Sequence, residues 1–212
     1  MKTVDLELWK NKAVAAAVKA EKMLWGKHNE DIQAWMYEAG FALETIRNAH
    51  LGWQVRNTMR PGESWGLEGC EKIHLPEGIT LPVIRDKRLQ RLVIYRMDQG
   101  HAGQYHTVEG SARIPLALPG KKSHQILVAR EMDALLLHQE LKGESHILAV
   151  EDFSPQEVEP FLVKGCVTCL LLLNTPLPLW EKEALHTLKI KADTLMELAR
   201  NRTLETAISS LR

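Results

Sequence analysis

Five basic side chains, Arg85, Lys87, Arg88, Arg91 and Arg96, fall within twelve residues of one another. Cations at that density attract a phosphate backbone whatever its base sequence. The competing reading is a solvated hairpin whose aliphatic stems lie on the surface with their charged heads in water. Lys121 and Lys122 either extend the positive patch or belong to a solvated loop beside Pro119-Gly120. Cys166 and Cys169 have the spacing of a redox pair or half a zinc site. No second Cys or His pair stands at ligand spacing from them, and the segment runs into Leu170–Leu173, so they read as buried thiols of a strand. The nine histidines show no HExxH or paired-ligand spacing. No dinucleotide fingerprint, phosphate-cradling glycine loop or nucleophile elbow occurs either. Trp25, Trp35, Trp53 and Trp65 have π-faces on which bases stack. Their places on apolar helical faces and in a turn predict core packing instead.

The elements that must carry these groups follow from periodicity. Residues 5–25 place Leu6, Trp9, Ala13, Ala16, Val18 and Leu24 among Lys and Glu, the pattern of an amphipathic helix. Asn29-Glu-Asp31 opens a second helix that Gly40 closes, and Leu43–Ala49 makes a short third. Turn residues dominate from Leu51 to Glu77. Ile79–Ile84 and Leu89–Tyr95 then form a predicted hairpin around Arg85-Asp-Lys-Arg88. Tyr105–Val108 and Ile114–Leu118 are shorter strands. From Gln125 onward, strands at 126–128, 147–150 and 167–173 alternate with helices at 133–141 and 155–163. That order predicts a parallel sheet with helices on both faces. A long helix from Trp180 to Asn201 and a last one from Leu204 complete the pattern. Two subdomains are expected, 1–120 and 121–212, joined at Pro119-Gly-Lys-Lys-Ser123.

Bulk properties narrow the class. The 212 residues are 45% hydrophobic and 25% charged, with 27 basic residues against 27 acidic. Neutrality does not suggest a histone-like or tail-mediated nucleic-acid binder but leaves room for a local basic patch. The polar start and the absence of a long apolar run predict a cytoplasmic chain without membrane association. Three cysteines, an odd count, argue against a disulfide framework.

Two stretches carry a family resemblance. Ile32-Gln-Ala-Trp-Met-Tyr-Glu-Ala-Gly-Phe-Ala-Leu-Glu-Thr-Ile-Arg-Asn-Ala-His-Leu-Gly-Trp53 resembles the segment that follows the zinc ribbon in bacterial-type DNA primases. Trp65-Gly-Leu67, Leu75-Pro-Glu-Gly-Ile-Thr-Leu-Pro82 and Tyr105-His-Thr-Val-Glu-Gly-Ser111 look like motifs of the phage- and plasmid-associated branch. Further on, Ile126-Leu-Val-Ala-Arg-Glu-Met-Asp-Ala-Leu135 is similar to the motif that opens a Toprim domain. The resemblance implies an α/β fold, with a Toprim-like parallel sheet after a helical and hairpin subdomain. It also implies that basic residues of the first subdomain line a template groove, Arg96 matching the Arg that ends the hairpin strand.

Departures from the family pattern set the functional expectation. In Toprim domains a glutamate ending the first strand and an Asp-x-Asp ending the third hold Mg²⁺, which bridges phosphates and neutralises developing charge. Aligned on Asp133-Ala134, the glutamate position is Ala129 and the glycine after it is Arg130. The third strand ends in Asn174-Thr175-Pro176, without the aspartates. The zinc ribbon has no counterpart here, implying a shortened form or one piece of a larger assembly. The leading expectation is a catalytically inactive primase relative, without cofactor. It would bind single-stranded DNA or RNA, or a primase or helicase, in a phage or mobile-element system. One alternative is an active primase or nuclease holding Mg²⁺ on displaced acids, Glu131 with Glu151 or Asp152. Another is a protein-interaction module without a nucleic-acid role. Asp133 is expected to cap the helix that follows it.

Overall fold

The computed structural model describes residues 5–97, 104–173, 177, 180, 186–190, 192 and 194–209. Its contacts group the chain into two units, one of 1–34 with 46–113, the other of 35–45 with 114–212. The Gln139 side chain is one of the ties that join residues 35–45 to the second unit. Gln139 accepts from the Ala42 N–H and the Thr45 hydroxyl through Oε1, and donates to the Gly40 carbonyl through Nε2.

The first unit starts with helix α1, Leu6–Leu24, which α2 (Glu30–Glu38) and α3 (Leu43–Asn48) follow along the chain. Asp5 Oδ1 accepts from the Leu8 N–H at 3.0 Å and satisfies an otherwise orphaned donor of the first turn. Its buried stripe is Trp9, Ala13, Ala17, Ala20 and Leu24, with Leu6 and Val18 of the expected face left exposed. Alanines on this stripe bring the helix close to the sheet. At Gly52 a Cβ would lie 2.5 Å from the Ala20 carbonyl carbon and the Glu21 nitrogen. Strands β1 (Gly52–Gln54), β4 (Gly78–Arg85), β5 (Arg88–Tyr95) and β6 (Tyr105–Thr107) form an antiparallel sheet in the order β1-β4-β5-β6. The β4–β5 loop is two residues long, and Asp86 and Lys87 have φ of +51° and +60°. Positive φ at both central positions fits the twist of a tight hairpin. A second ribbon pairs β2 (Thr58–Pro61) with β3 (Lys72–Leu75). Trp9, Trp65, Ile73, Leu92, Ile94 and Val108 meet in the core of this unit.

In the second unit, β7 (Ala117–Leu118), β8 (His124–Val128), β9 (His146–Ala149), β10 (Val167–Leu172) and β11 (His186–Lys189) make a five-stranded sheet ordered β11-β10-β8-β9-β7. All neighbouring pairs are parallel except β7–β9. Helix α4 (Glu131–Glu140) connects β8 to β9, and α5 (Pro155–Val158) opens the return to β10. The short helices α6 (Leu195–Arg200) and α7 (Leu204–Ala207) follow the sheet. Leu127, Leu148, Leu170, Phe153 and Trp180 pack together, and the Trp180 indole donates to the Phe153 carbonyl at 3.1 Å.

The long helix expected over 180–201 is corrected here. Within it the chain forms β11, which lies parallel to β10 with Cys169 opposite His186 and Leu172 opposite Lys189. Thr187-Leu-Lys-Ile190 alternates polar and apolar residues, so it supports either period, and pairing with an open sheet edge decides. The three thiols are half-buried rather than fully buried. No helix among the described residues is long and apolar enough to cross a membrane.

Candidate functional site

The end of β8 is where the α/β sheet gathers its charged residues. After Val128 the buried Ala129 leads into Arg130, the residue preceding α4. The Arg130 side chain is 6% exposed, and its Nε and Nη2 donate to the two carboxylate oxygens of Glu151 at 2.8 and 3.3 Å. Glu151 stands just past β9, and its backbone N–H donates to the Ala129 carbonyl. Adjacent parallel strands thus set both partners side by side. The bidentate fork is the geometry in which Arg binds a carboxylate most strongly.

Glu131 and Asp133, in the first turn of α4, are both buried. Burial raises the Asp133 carboxyl from 3.8 to about 7, while the Leu195 N–H and the Arg130 charge pull the other way. Its Oδ1 accepts from the Leu195 backbone N–H at 2.7 Å. Asp133 therefore serves the first turn of α6, and the expectation that it caps α4 is corrected. The residue at the N-cap position of α4 is Arg130, and Asp133 stands third in the helix with its Oδ1 turned to Leu195. Asp152 is exposed. Asn174 and Pro176 lie outside the described residues.

The described residues at this strand end do not fit a divalent cation. Hard cations need several oxygen ligands. Here Ala129 supplies a methyl group, and Glu151 is held by a guanidinium. Among the described residues no three His, Cys, Asp or Glu side chains converge as metal ligands would.

The basic residues singled out in the sequence divide into three kinds. Arg85, Lys87 and Arg88 are exposed at the β4–β5 turn, with Arg85 3.9 Å from Asp86. Arg96 is half-buried after β5, where its backbone N–H donates to the Gln104 carbonyl. Arg91 is only 2% exposed, and its Nη2 donates to Thr107 Oγ1 at 3.3 Å. It is buried because both faces of β5 are covered from Arg91 to Tyr95, whatever its charge suggests. Lys121 and Lys122 both pair with Glu144. Trp53 and Trp65 are buried as expected. Trp25 and Trp35 are half-buried, with Arg47 at 5.4 Å from the first ring and Arg200 at 4.9 Å from the second. Both rings are thus faced by guanidinium groups, which corrects the expectation of simple core packing.

The first unit also holds a groove that the sequence reading missed. Lys12 and Lys19 of α1 line it together with Arg56, Arg60, Trp53 and Trp65. A faint signal was present, since Lys12 and Lys19 are seven residues apart with Ala15 and Ala16 between them. That spacing puts both lysines on one helix face, which small residues leave open.

Comparison with known proteins bears on the fold. No family model and no curated protein matches the chain. Solved structures do. A DnaG primase catalytic domain bound to single-stranded DNA superposes with a TM-score of 0.65 at 9% identity, covering 96% of this chain and 81% of that one. The RNA polymerase domain of the Mycobacterium tuberculosis primase DnaG gives 0.65 at 10% identity, covering 96% and 82%. The E. coli primase catalytic core gives 0.62 at 11% identity, covering 97% and 79%. The chain has a primase-core fold. At these identities the likeness speaks for the primase-core architecture alone, and the chemistry has to be argued from the side chains.

Proposed function

We propose that this chain is a primase-related protein that binds single-stranded nucleic acid and does not itself join nucleotides. The observation that carries the reading is the Arg130–Glu151 pair at the end of β8. By the family resemblance, a metal-binding carboxylate belongs at Ala129 and a glycine after it. Nucleotidyl transfer asks that place for acids able to hold cations against phosphate oxygens. In this chain it offers a methyl group and a side-chain cation that has already claimed the nearest carboxylate.

A structural neighbour solved with single-stranded DNA supports a nucleic-acid role for the fold. On this reading the exposed hairpin cations Arg85, Lys87 and Arg88, with Arg96, contribute attraction to the phosphate backbone. The phage or mobile-element context, and a primase or helicase as the protein partner, follow from the motif resemblance and belong to the same proposal.

The test uses the purified full chain with a single-stranded template, nucleoside triphosphates and Mg²⁺. Fluorescence polarisation should register oligonucleotide binding that weakens with salt and is indifferent to Mg²⁺. No primer should appear. Metal-dependent primer synthesis abolished by Glu131→Ala, Glu151→Ala or Asp152→Ala would overturn the reading in favour of displaced catalytic acids.

A further inference from the structure

The groove of the first unit holds charge that its own walls do not neutralise. Its volume is about 620 Å³, and Lys12, Lys19, Arg56 and Arg60 line it without any Asp or Glu. Among the described residues none of these four cations takes part in an ion pair. All four side chains belong to exposed residues. The chain as a whole is neutral, with 27 basic and 27 acidic residues, so this concavity is a local departure from balance. Low-dielectric walls around such a cluster focus its field on whatever anion enters.

The layout selects the anion. At a rise of about 1.5 Å per residue, Lys12 and Lys19 stand about 10 Å apart along α1. One small anion cannot satisfy both, whereas a ligand with charge repeated along its length can. Gln54, Thr58 and Ser64 add neutral hydrogen-bonding groups to the lining. Trp53 and Trp65 are 7% and 5% exposed, so they form an apolar floor rather than platforms on which bases stack. A volume in the range of small-ligand clefts admits one strand more readily than two.

We infer that this groove binds the phosphate backbone of single-stranded nucleic acid, without base preference. The inference rests on the nucleic-acid reading above and places the strand between α1 and β2, away from the hairpin turn. Recognition by cations alone makes the binding salt-sensitive and indifferent to sequence.

The experiment is polarisation of a labelled oligothymidylate against the full chain, titrated between about 50 and 200 mM salt. Three double variants are compared: Lys12→Ala with Lys19→Ala, Arg56→Ala with Arg60→Ala, and Arg85→Ala with Arg88→Ala. Exposed side chains are replaced in each, and circular dichroism confirms the fold. Each groove pair should weaken binding by about tenfold or more. Each should also lower the slope of log affinity against log salt by about 1.4, at about 0.7 per phosphate contact. Groove variants that bind like the unaltered chain overturn this site and leave the nucleic-acid reading standing, most plainly where the hairpin pair loses binding instead. No binding by the unaltered chain at low salt overturns both. Equal affinity for inorganic triphosphate, with no gain from oligonucleotide length, replaces the strand with a free polyphosphate.

Discussion

The two units handle charge in opposite ways. In the first, Lys12, Lys19, Arg56 and Arg60 surround a groove that contains no acid, and their charge is directed to solvent. In the second, Arg130, Glu131 and Asp133 are buried at one strand end, where Arg130 is paired with Glu151 and Asp133 accepts a hydrogen bond from the Leu195 backbone. Buried charge must find its partner inside the protein, because losing water costs more than a distant ligand returns. Exposed charge pays no such cost and remains available. The difference teaches where to look for a polyanion. The α/β sheet commits Arg130, Glu151 and Asp133 to partners within the fold, while the helical and hairpin unit leaves four cations facing solvent.

The largest test of that contrast is pH. The Asp133 carboxyl keeps its proton up to about 7 in the folded chain against an ordinary 3.8. Between those values the folded state binds more protons than the unfolded one, so stability falls as pH rises from about 4 to about 7. The loss amounts to roughly 4 kcal/mol over that window. Asp133→Asn retains an acceptor for the Leu195 N–H and removes the titration. Urea unfolding of that variant across the window should therefore lose this slope, and an unchanged pH dependence would break the description of Asp133 as the unit's main buried acid.

Next in size is Gly52→Ala, which probes the first unit. The added methyl would meet the backbone of Ala20 and Glu21 at 2.5 Å, so α1 must move away from β1. A cost of about 3 kcal/mol is expected, the upper end for overpacking, because neither contact is a flexible side-chain tip. Since α1 forms one wall of the groove, oligonucleotide affinity should drop along with the melting temperature. Full affinity in a destabilised variant would separate the groove from the helix position.

Glu151→Ala leaves the Arg130 guanidinium without its bidentate acceptor. Breaking a fully buried pair costs about 3–5 kcal/mol. The Glu151 side chain is 34% exposed, and water reaching the vacated place reduces the expected loss to about 2 kcal/mol. Chemical denaturation measures it directly. A variant as stable as the parent would mean that the second unit's charges are less internally committed than the geometry indicates.

The smallest effect is a gain. Lys87 holds φ at +60° in the two-residue turn, a conformation glycine adopts without a steric penalty. Lys87→Gly should stabilise the chain by about 0.5–1 kcal/mol, read as a melting temperature higher by about 1–4 °C. If it also weakens oligonucleotide binding by more than the groove variants do, the hairpin rather than the groove holds the strand.

Local pattern went far in this chain. The α1 periodicity, the Arg85–Arg88 hairpin turn and the strand-helix alternation after Gln125 are all visible as spacing, because each element buries a face set by its own repeat. The motif order pointed to the primase-type fold, which the structural neighbours share. Ala129 and Arg130 drew notice in the sequence only because they were read against that motif. What lay beyond sequence was pairing between distant segments. The partner of Arg130 is twenty-one positions away and becomes its neighbour only once β8 and β9 lie side by side. Asp133 serves a helix that begins sixty-two residues later. His186–Lys189 became a strand because β10 had a free edge, and Arg91 is buried because the fold covers both faces of β5 there. The groove needed α1 and β2 to face one another, a juxtaposition no single stretch of sequence encodes. Residue types and repeats determined which elements form and which charges exist; tertiary packing decided which of those charges are neutralised within the fold and which face outward.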